Sequence, residues 1–317
     1  MKFILFLFAT LLSLMHSKEV SAERPNILWL IAEDMSPHFR CYGEKTIQTP
    51  NVDMLAATGV LFERAFVTGP ICSPSRSALI TGMYQTSIGA HHHRSGVGTE
   101  KIRLPPEVQL VPQLFQQAGY HTSNGSYPAM RKGKTDYNFE FSPGIYDGTD
   151  WKNRQPGQPF FAQIQLFGGK IRDVASQLID ARRTLGSATS TQGLPLPPYY
   201  PRTQPILDDW SATLDAVRIT DKHVGEIVER LRAEGILDHT VIFFISDHGV
   251  SHVRGKQFLY DEGTHIPFVV SGPGLPKGQR RQDLIEHIDM AAMSLTLAGV
   301  PLPMVMQARN PFAPDYQ

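Results

Sequence analysis

The sequence predicts an α/β protein on a largely parallel sheet, because two continuous apolar runs of strand length are separated by segments with helical spacing of apolar residues. The runs are Asn26–Ala32 (Asn-Ile-Leu-Trp-Leu-Ile-Ala) and Thr240–Ser246 (Thr-Val-Ile-Phe-Phe-Ile-Ser). Apolar interiors of this kind suit strands covered on both faces. Each run stops at a pair of side chains able to hold a metal, Glu33-Asp34 after the first and Asp247-His248 after the second. In open α/β sheets ligands collect at the carboxyl ends of strands, so the two tips are expected to meet in one crevice.

Further elements follow in order. Val52 to Thr58 and Val111 to Ala118 carry helical spacing, and Phe160 to Leu166 is a third strand. Gly193 to Pro205 is proline-rich and reads as an extended surface loop. Leu207, Trp210, Leu214, Val217, Val224, Ile227, Val228 and Leu231 then mark a long amphipathic helix ending near Gly235, which feeds the second apolar run. Pro267 to Ser271 is a short strand, Leu284 to Leu297 a helix, and Gln307 to Gln317 has no periodicity. No internal repeat is visible.

The first residues have the layout of a secretory leader: Met1-Lys2, an apolar run from Phe3 to Leu14, then a polar stretch closing on Val20-Ser21-Ala22. Cleavage is expected after Ala22, giving a secreted or periplasmic protein, or a lysosomal one in a eukaryote. The alternative, a membrane anchor, is disfavoured because the run is shorter than the ~20 residues of a spanning helix. The rest is long enough to bury about three quarters of its unfolded surface in one core. One domain over residues 23–303 is expected, followed by an irregular tail at 304–317. Lys and Arg total 30, and so do Asp and Glu, so the overall charge points to neither a nucleic-acid partner nor, after leader cleavage, a membrane. The only cysteines are Cys41 and Cys72, which leaves a single bridge between them as the structural alternative to a chemical role for Cys72.

That role is suggested by Cys72-Ser-Pro-Ser-Arg76, followed by Ser77-Ala-Leu-Ile-Thr-Gly82. Here the sequence resembles the sulfatase family, whose signature is Cys-x-Pro-x-Arg followed by a small residue, a hydrophobic stretch and Thr-Gly. The resemblance runs from Arg24 to Pro303. It implies an alkaline-phosphatase-like sandwich with a largely parallel mixed sheet between helices, and a smaller C-terminal domain that is missing or truncated here, with 304–317 as its start. It further implies that a separate maturation enzyme oxidises Cys72 to formylglycine, whose hydrate has one hydroxyl to attack sulfur and another to expel sulfate. Residues after Cys72 are expected to begin a helix whose positive end favours an anion, with Arg76 beside the nucleophile.

By the same resemblance Glu33, Asp34, Asp247 and His248 surround one divalent cation, with calcium preferred and magnesium the alternative. Glu33 departs from the usual Asp, and His248 replaces the commoner Asn. Lys134 in Lys134-Thr-Asp-Tyr-Asn138 and Lys256 in Gly255-Lys256-Gln-Phe-Leu-Tyr-Asp-Glu-Gly263 match the family's sulfate-holding lysines, although Asp136 stands where a histidine is common. The histidine that follows the third strand in the family is replaced by Phe167-Gly-Gly-Lys170. Lys170 or His252 then remains to protonate the leaving group, with His252 preferred for its titration range. His91-His92-His93-Arg94 reads as a loop lining the substrate mouth, with His92 and Arg94 available to sugar. Asn124-Gly-Ser126 is a glycosylation sequon if the host glycosylates secreted proteins. The expected substrate is a sulfated glycan, such as a glycosaminoglycan fragment, or a smaller sulfate ester. The subgroup most resembled includes heparan N-sulfatases. Two other readings are a phosphonate or phosphate ester hydrolase of the same superfamily and a catalytically silent glycan-binding protein.

Overall fold

The computed structural model describes residues 24–98 and 102–316, so the expected leader at 1–22 lies outside the described residues. In chain order the elements are β1 (Asn26–Ala32), α1 (Pro50–Thr58), β2 (Val60–Phe66), α2 (Cys72–Thr81), α3 (Val111–Gln117), β3 (His121–Ser126), β4 (Arg131–Lys132), β5 (Phe160–Leu166), α4 (Ala175–Leu185), α5 (Gln204–Ala233), β6 (Thr240–Ser246), α6 (Asp261–Thr264), β7 (Phe268–Ser271), β8 (Gln279–Glu286) and α7 (Asp289–Leu297). The eight strands form one sheet in the order β4-β3-β5-β1-β6-β7-β2-β8. Strands β3, β5, β1 and β6 run parallel to one another, while β4 and β7 pair antiparallel with their neighbours. This is the mixed, largely parallel sheet that the apolar runs imply.

Alternation along β1 explains the layers. Ile27, Trp29 and Ile31 face a core shared with α2, α3 and α7, whereas Leu28, Leu30 and Ala32 face one shared with α1, α4 and α5. All seven β1 residues are buried, as are all seven of β5 and of β6. Register then places the chemistry. Ala32 lies opposite both Leu166 and Ser246, so three neighbouring strands end level and release Glu33-Asp34, Phe167-Gly168 and Asp247-His248 side by side.

The sequence expectation fails in places where polar residues build regular structure. His121–Ser126 is a buried strand whose polar side chains hydrogen-bond inside the fold: Gln165 Nε2 donates to Asn124 Oδ1 at 3.0 Å. Asn124 is therefore interior, and the sequon is closed to a glycan on the folded protein. Leu284 to Glu286 are strand, not helix, because the open edge of β2 offers backbone partners; Arg64 pairs with Leu284 and Ala65 with Ile285, and α7 begins only at Asp289. The proline-rich loop stops short of Pro205, which sits in the first turn of α5, where a missing N–H costs nothing. The 304–317 region has no helix or strand among its described residues, yet Met306, Phe312 and Tyr316 pack against the core. Cys41 and Cys72 are both free thiols, so no bridge joins them.

The start of α1 is capped from another helix. Asp221 on α5 is 2% exposed and accepts hydrogen bonds from the backbone N–H groups of Asn51 and Val52 at 3.0 and 2.8 Å and from Asn51 Nδ2 at 2.8 Å. Thr49, the residue before the helix, offers no side-chain cap. Replacing Asp221 with Ala should lower unfolding free energy by about 2 kcal/mol, with Asn, which keeps one acceptor, losing less; urea denaturation followed by circular dichroism measures both.

Candidate active site

Cys72 is the first residue of α2, a helix buried along its whole length and closed by Gly82 in the left-handed conformation. Pro74 is tolerated because the first turn lacks intrahelical acceptors for its N–H groups. Arg76 lies one turn on from Cys72, on the same face. Its Nε donates to Asp247 Oδ2 at 3.0 Å and its Nη1 to Gln165 Oε1 at 2.6 Å. The Ser75 hydroxyl is bonded to the Asp247 carbonyl. Helix and strand tip are thus locked together.

At the tips, Asp247 N–H donates to the Ala32 carbonyl at 3.0 Å and Asp34 N–H donates to Asp247 Oδ1 at 3.1 Å. Asp34 sits at φ 55, a strained position for a residue with a side chain, and this turns its carboxylate toward α2. Ligand atoms of Asp34, Cys72, Asp247 and His248 all lie within 4.8 Å of one another, and all four residues are buried. His248 Nδ1 is 2.9 Å from the Gly249 carbonyl, to which it donates. That leaves Nε2 facing the cluster, 3.2 Å from Cys72 Sγ and from Asp34 Oδ1.

Cationic side chains surround these acids. Lys256 Nζ is 3.2 Å from both Asp34 oxygens and from Cys72 Sγ, and Lys170 Nζ is 3.1 Å from Asp34 Oδ2. Lys134 Nζ is 2.9 Å from Glu33 Oε2. Burial alone would raise the Asp247 carboxyl, but His248, Arg76 and Lys134 hold it far below the usual carboxylate range. Burial would likewise weaken Lys256 as a base; Asp34 and Cys72 outweigh it and push the ammonium well above its ordinary value. Burial also raises the Cys72 thiol, yet the His248 hydrogen bond and the charges of His248 and Lys134 leave it below normal.

Two expectations need correction. Glu33 is not in the ligand cluster: its longer arm reaches Lys134 and lies 3.9 Å from Arg76 Nη2, and the fourth corner is Cys72 itself. His252 is no free acid. Arg172 and Thr213 engage its Nε2, Asp209 lies 3.3 Å from its Nδ1, and burial followed by the Arg172 charge pulls it down to about 3. His92 is exposed with its ring against His91, while Arg94, also exposed, is 4.0 Å from Asp136. The remaining predicted groups, Arg76, Lys134, Lys170 and Lys256, do converge here.

A match to the Sulfatase family model spans residues 25–300. The chain belongs to the sulfatase family. It is 30% identical over 321 residues to an ulvan-active sulfatase of Formosa agariphila, covering 87% of this chain and 52% of that protein. It is 27% identical to human N-sulphoglucosamine sulphohydrolase, covering 88% of this chain and 61% of that one. The chain therefore spans between about half and three fifths of these curated relatives. Among solved structures, a Bacteroides thetaiotaomicron protein from work on the metabolism of multiple glycosaminoglycans superposes with TM-score 0.73 at 20% identity, covering 91% of this chain and 76% of that one. A phosphonate monoester hydrolase of Silicibacter pomeroyi gives 0.64 at 17% identity, covering 90% and 75%. Both share the fold.

Sequence reasoning missed the close packing of the turn after β5. Gly168, at φ 55, and Gly169 let the chain lie on the Glu33-Asp34 turn; a Cβ on them would come within 2.2 Å of the Glu33 carbonyl and 2.4 Å of the Asp34 carbonyl. Gly169 N–H instead donates to Glu33 O at 2.7 Å, and this close approach delivers Lys170 to Asp34. Gly168→Ala should cost about 3 kcal/mol or more, from backbone strain plus the clash, read as a lowered thermal midpoint.

Proposed function

We propose that the protein hydrolyses sulfate esters or sulfamates on sulfated glycans, with Cys72 matured to formylglycine and one divalent cation held by Asp34, Asp247, His248 and the oxygen at position 72. The observation that carries this is the convergence of Cys72, at the start of a buried helix, with two buried carboxylates and an imidazole nitrogen inside 4.8 Å. Two carboxylates suit a hard cation, and oxygen at position 72 completes such a set better than soft sulfur does. When bound, the cation would polarise a sulfate oxygen and favour the ionised nucleophile. Formylglycine would bring, as its hydrate, a hydroxyl for attack on sulfur.

The chain's own side chains do the rest. Arg76, anchored by Asp247 and Gln165, stands beside position 72 and stabilises negative charge there. Lys134, Lys170 and Lys256 bring positive charge to the same space from three loops. Four carboxylates, Glu33, Asp34, Asp136 and Asp247, balance these four cations, so a bound divalent cation would supply the net positive charge that suits an anionic substrate. Water-facing loops set the sugar. The names of the relatives favour a sulfated polysaccharide, and the leader fits export to a secreted, periplasmic or lysosomal compartment. A phosphonate or phosphate ester hydrolase is the second reading, favoured by the fold shared with the phosphonate monoester hydrolase.

Protein co-produced with a formylglycine-generating enzyme should show, by peptide mass spectrometry, the Cys72 sulfur replaced by oxygen, and should cleave an aryl sulfate faster than the matching phosphonate. Lys256→Ala should lower kcat/KM by about 10²–10³-fold. A matured protein that binds sulfated glycan without turnover would instead be the silent binder.

Cation binding has its own readout. Calcium added to chelator-treated wild type should raise the thermal midpoint, and Asp247→Asn should abolish the shift. An equal shift in the variant would put the ion elsewhere.

A further inference from the structure

Expelling an alcohol from sulfur calls for a proton on the departing oxygen, and the residues around the cluster narrow the donor. His248 belongs to the cation site. Both nitrogens of His252 are engaged, and His287 is fully buried with Nε2 bonded to the Ser75 carbonyl at 2.9 Å. The Lys170 and Lys256 ammoniums are committed to Asp34.

Of the three exposed histidines on the 91–94 loop, His91 and His92 lie ring against ring, while His93 reaches the helix that begins at Cys72. His93 is exposed, yet its loop is fixed: Asn138 Nδ2 donates to the carbonyls of Ala90 and His92 at 2.8 and 2.7 Å, and Arg94 N–H donates to Ser73 Oγ at 2.7 Å. Ser73 is fully buried on α2, next to Cys72, and its Oγ is 3.1 Å from His93 Nδ1. That hydroxyl accepts from Arg94 and keeps a second lone pair for Nδ1–H, so in the imidazolium Ser73 holds the Nδ1 proton and Nε2–H is the one left to give. Arg94, Lys134 and Lys256 are the positive groups acting on the ring, and Asp136 is the negative one. Burial first and Arg94 next pull the imidazole below its ordinary value, making it a stronger acid, while a bound sulfate would favour the protonated form.

On the sulfatase reading above, we propose that His93 Nε2 protonates the leaving-group oxygen, with Ser73 as the residue that positions the ring. As the nucleophile's oxygen bonds to sulfur, the bond from sulfur to the alcohol oxygen breaks; its electron pair stays on that oxygen and takes the His93 proton. The neutral imidazole then regains a proton from water.

The test compares 4-nitrophenyl sulfate, whose leaving group needs no proton, with a sulfated disaccharide, using formylglycine-bearing wild type, His93→Ala and His93→Gln. Both variants should lose about 10²–10³-fold in kcat/KM on the disaccharide, keep activity on the aryl sulfate, and lose the alkaline limb of the disaccharide pH profile. An equal fall on both substrates, or no fall on the disaccharide, overturns the assignment. Wild type inert toward both sulfates overturns the sulfatase reading, and this proposal with it, a result distinct from either.

Discussion

Two carboxylates buried at the tips of neighbouring parallel strands set the terms for everything around them. Asp34 and Asp247 are almost wholly shielded from water and joined by a hydrogen bond from the Asp34 backbone. Burying one unpaired charge costs several kcal/mol, and burying two like charges together costs more. The fold answers with Arg76 from α2, Lys170 after β5 and Lys256 beyond β6, each within 3.2 Å of one of these acids. The site is consequently an electrostatic balance. A cation or an anion entering it must displace contacts already present.

The rigid and adaptable parts divide along this line. Cys72 and Arg76 sit on a buried helix tied to the strand tip, so their geometry is fixed by packing. Lys134, Lys170 and Lys256 reach in from loops on long, flexible arms. Such ammoniums can follow a tetrahedral anion as it moves, whereas the guanidinium cannot leave its two partners. The half-exposed or exposed groups farther out, His93 and Arg94 among them, belong to a loop pinned by Asn138 and Ser73. Precision near Cys72 and latitude at the outer loop follow from where each residue is attached.

Much of this was legible in the sequence because it rested on apolar runs and a local motif. The bounds of β1, β5 and β6 follow from Asn26–Ala32, Phe160–Leu166 and Thr240–Ser246 as read. The Cys-x-Pro-x-Arg segment placed the start of α2. Strands β3 and β8 were hidden because their residues are mostly polar, stabilised by internal hydrogen bonds or by an open sheet edge rather than by burial of an apolar face. Side-chain direction was hidden too. Nothing in the letters shows that Glu33 turns to Lys134, or that His252 is enclosed by Arg172, Thr213 and Asp209.

The direction taken by Glu33 changes the logic of the cation site. With Glu33 committed to Lys134, only two carboxylates remain to meet a divalent charge, and the nitrogen of His248 contributes none. Hard cations are held chiefly by the number and charge of their oxygen ligands. A site short of carboxylates must draw the missing oxygens from position 72 and from the substrate. On the proposed reading, maturation of Cys72 does more than create a nucleophile: it supplies an oxygen that the strand tips no longer provide. Ion binding and substrate binding then become linked, since each offers the other a partner that the protein has left out.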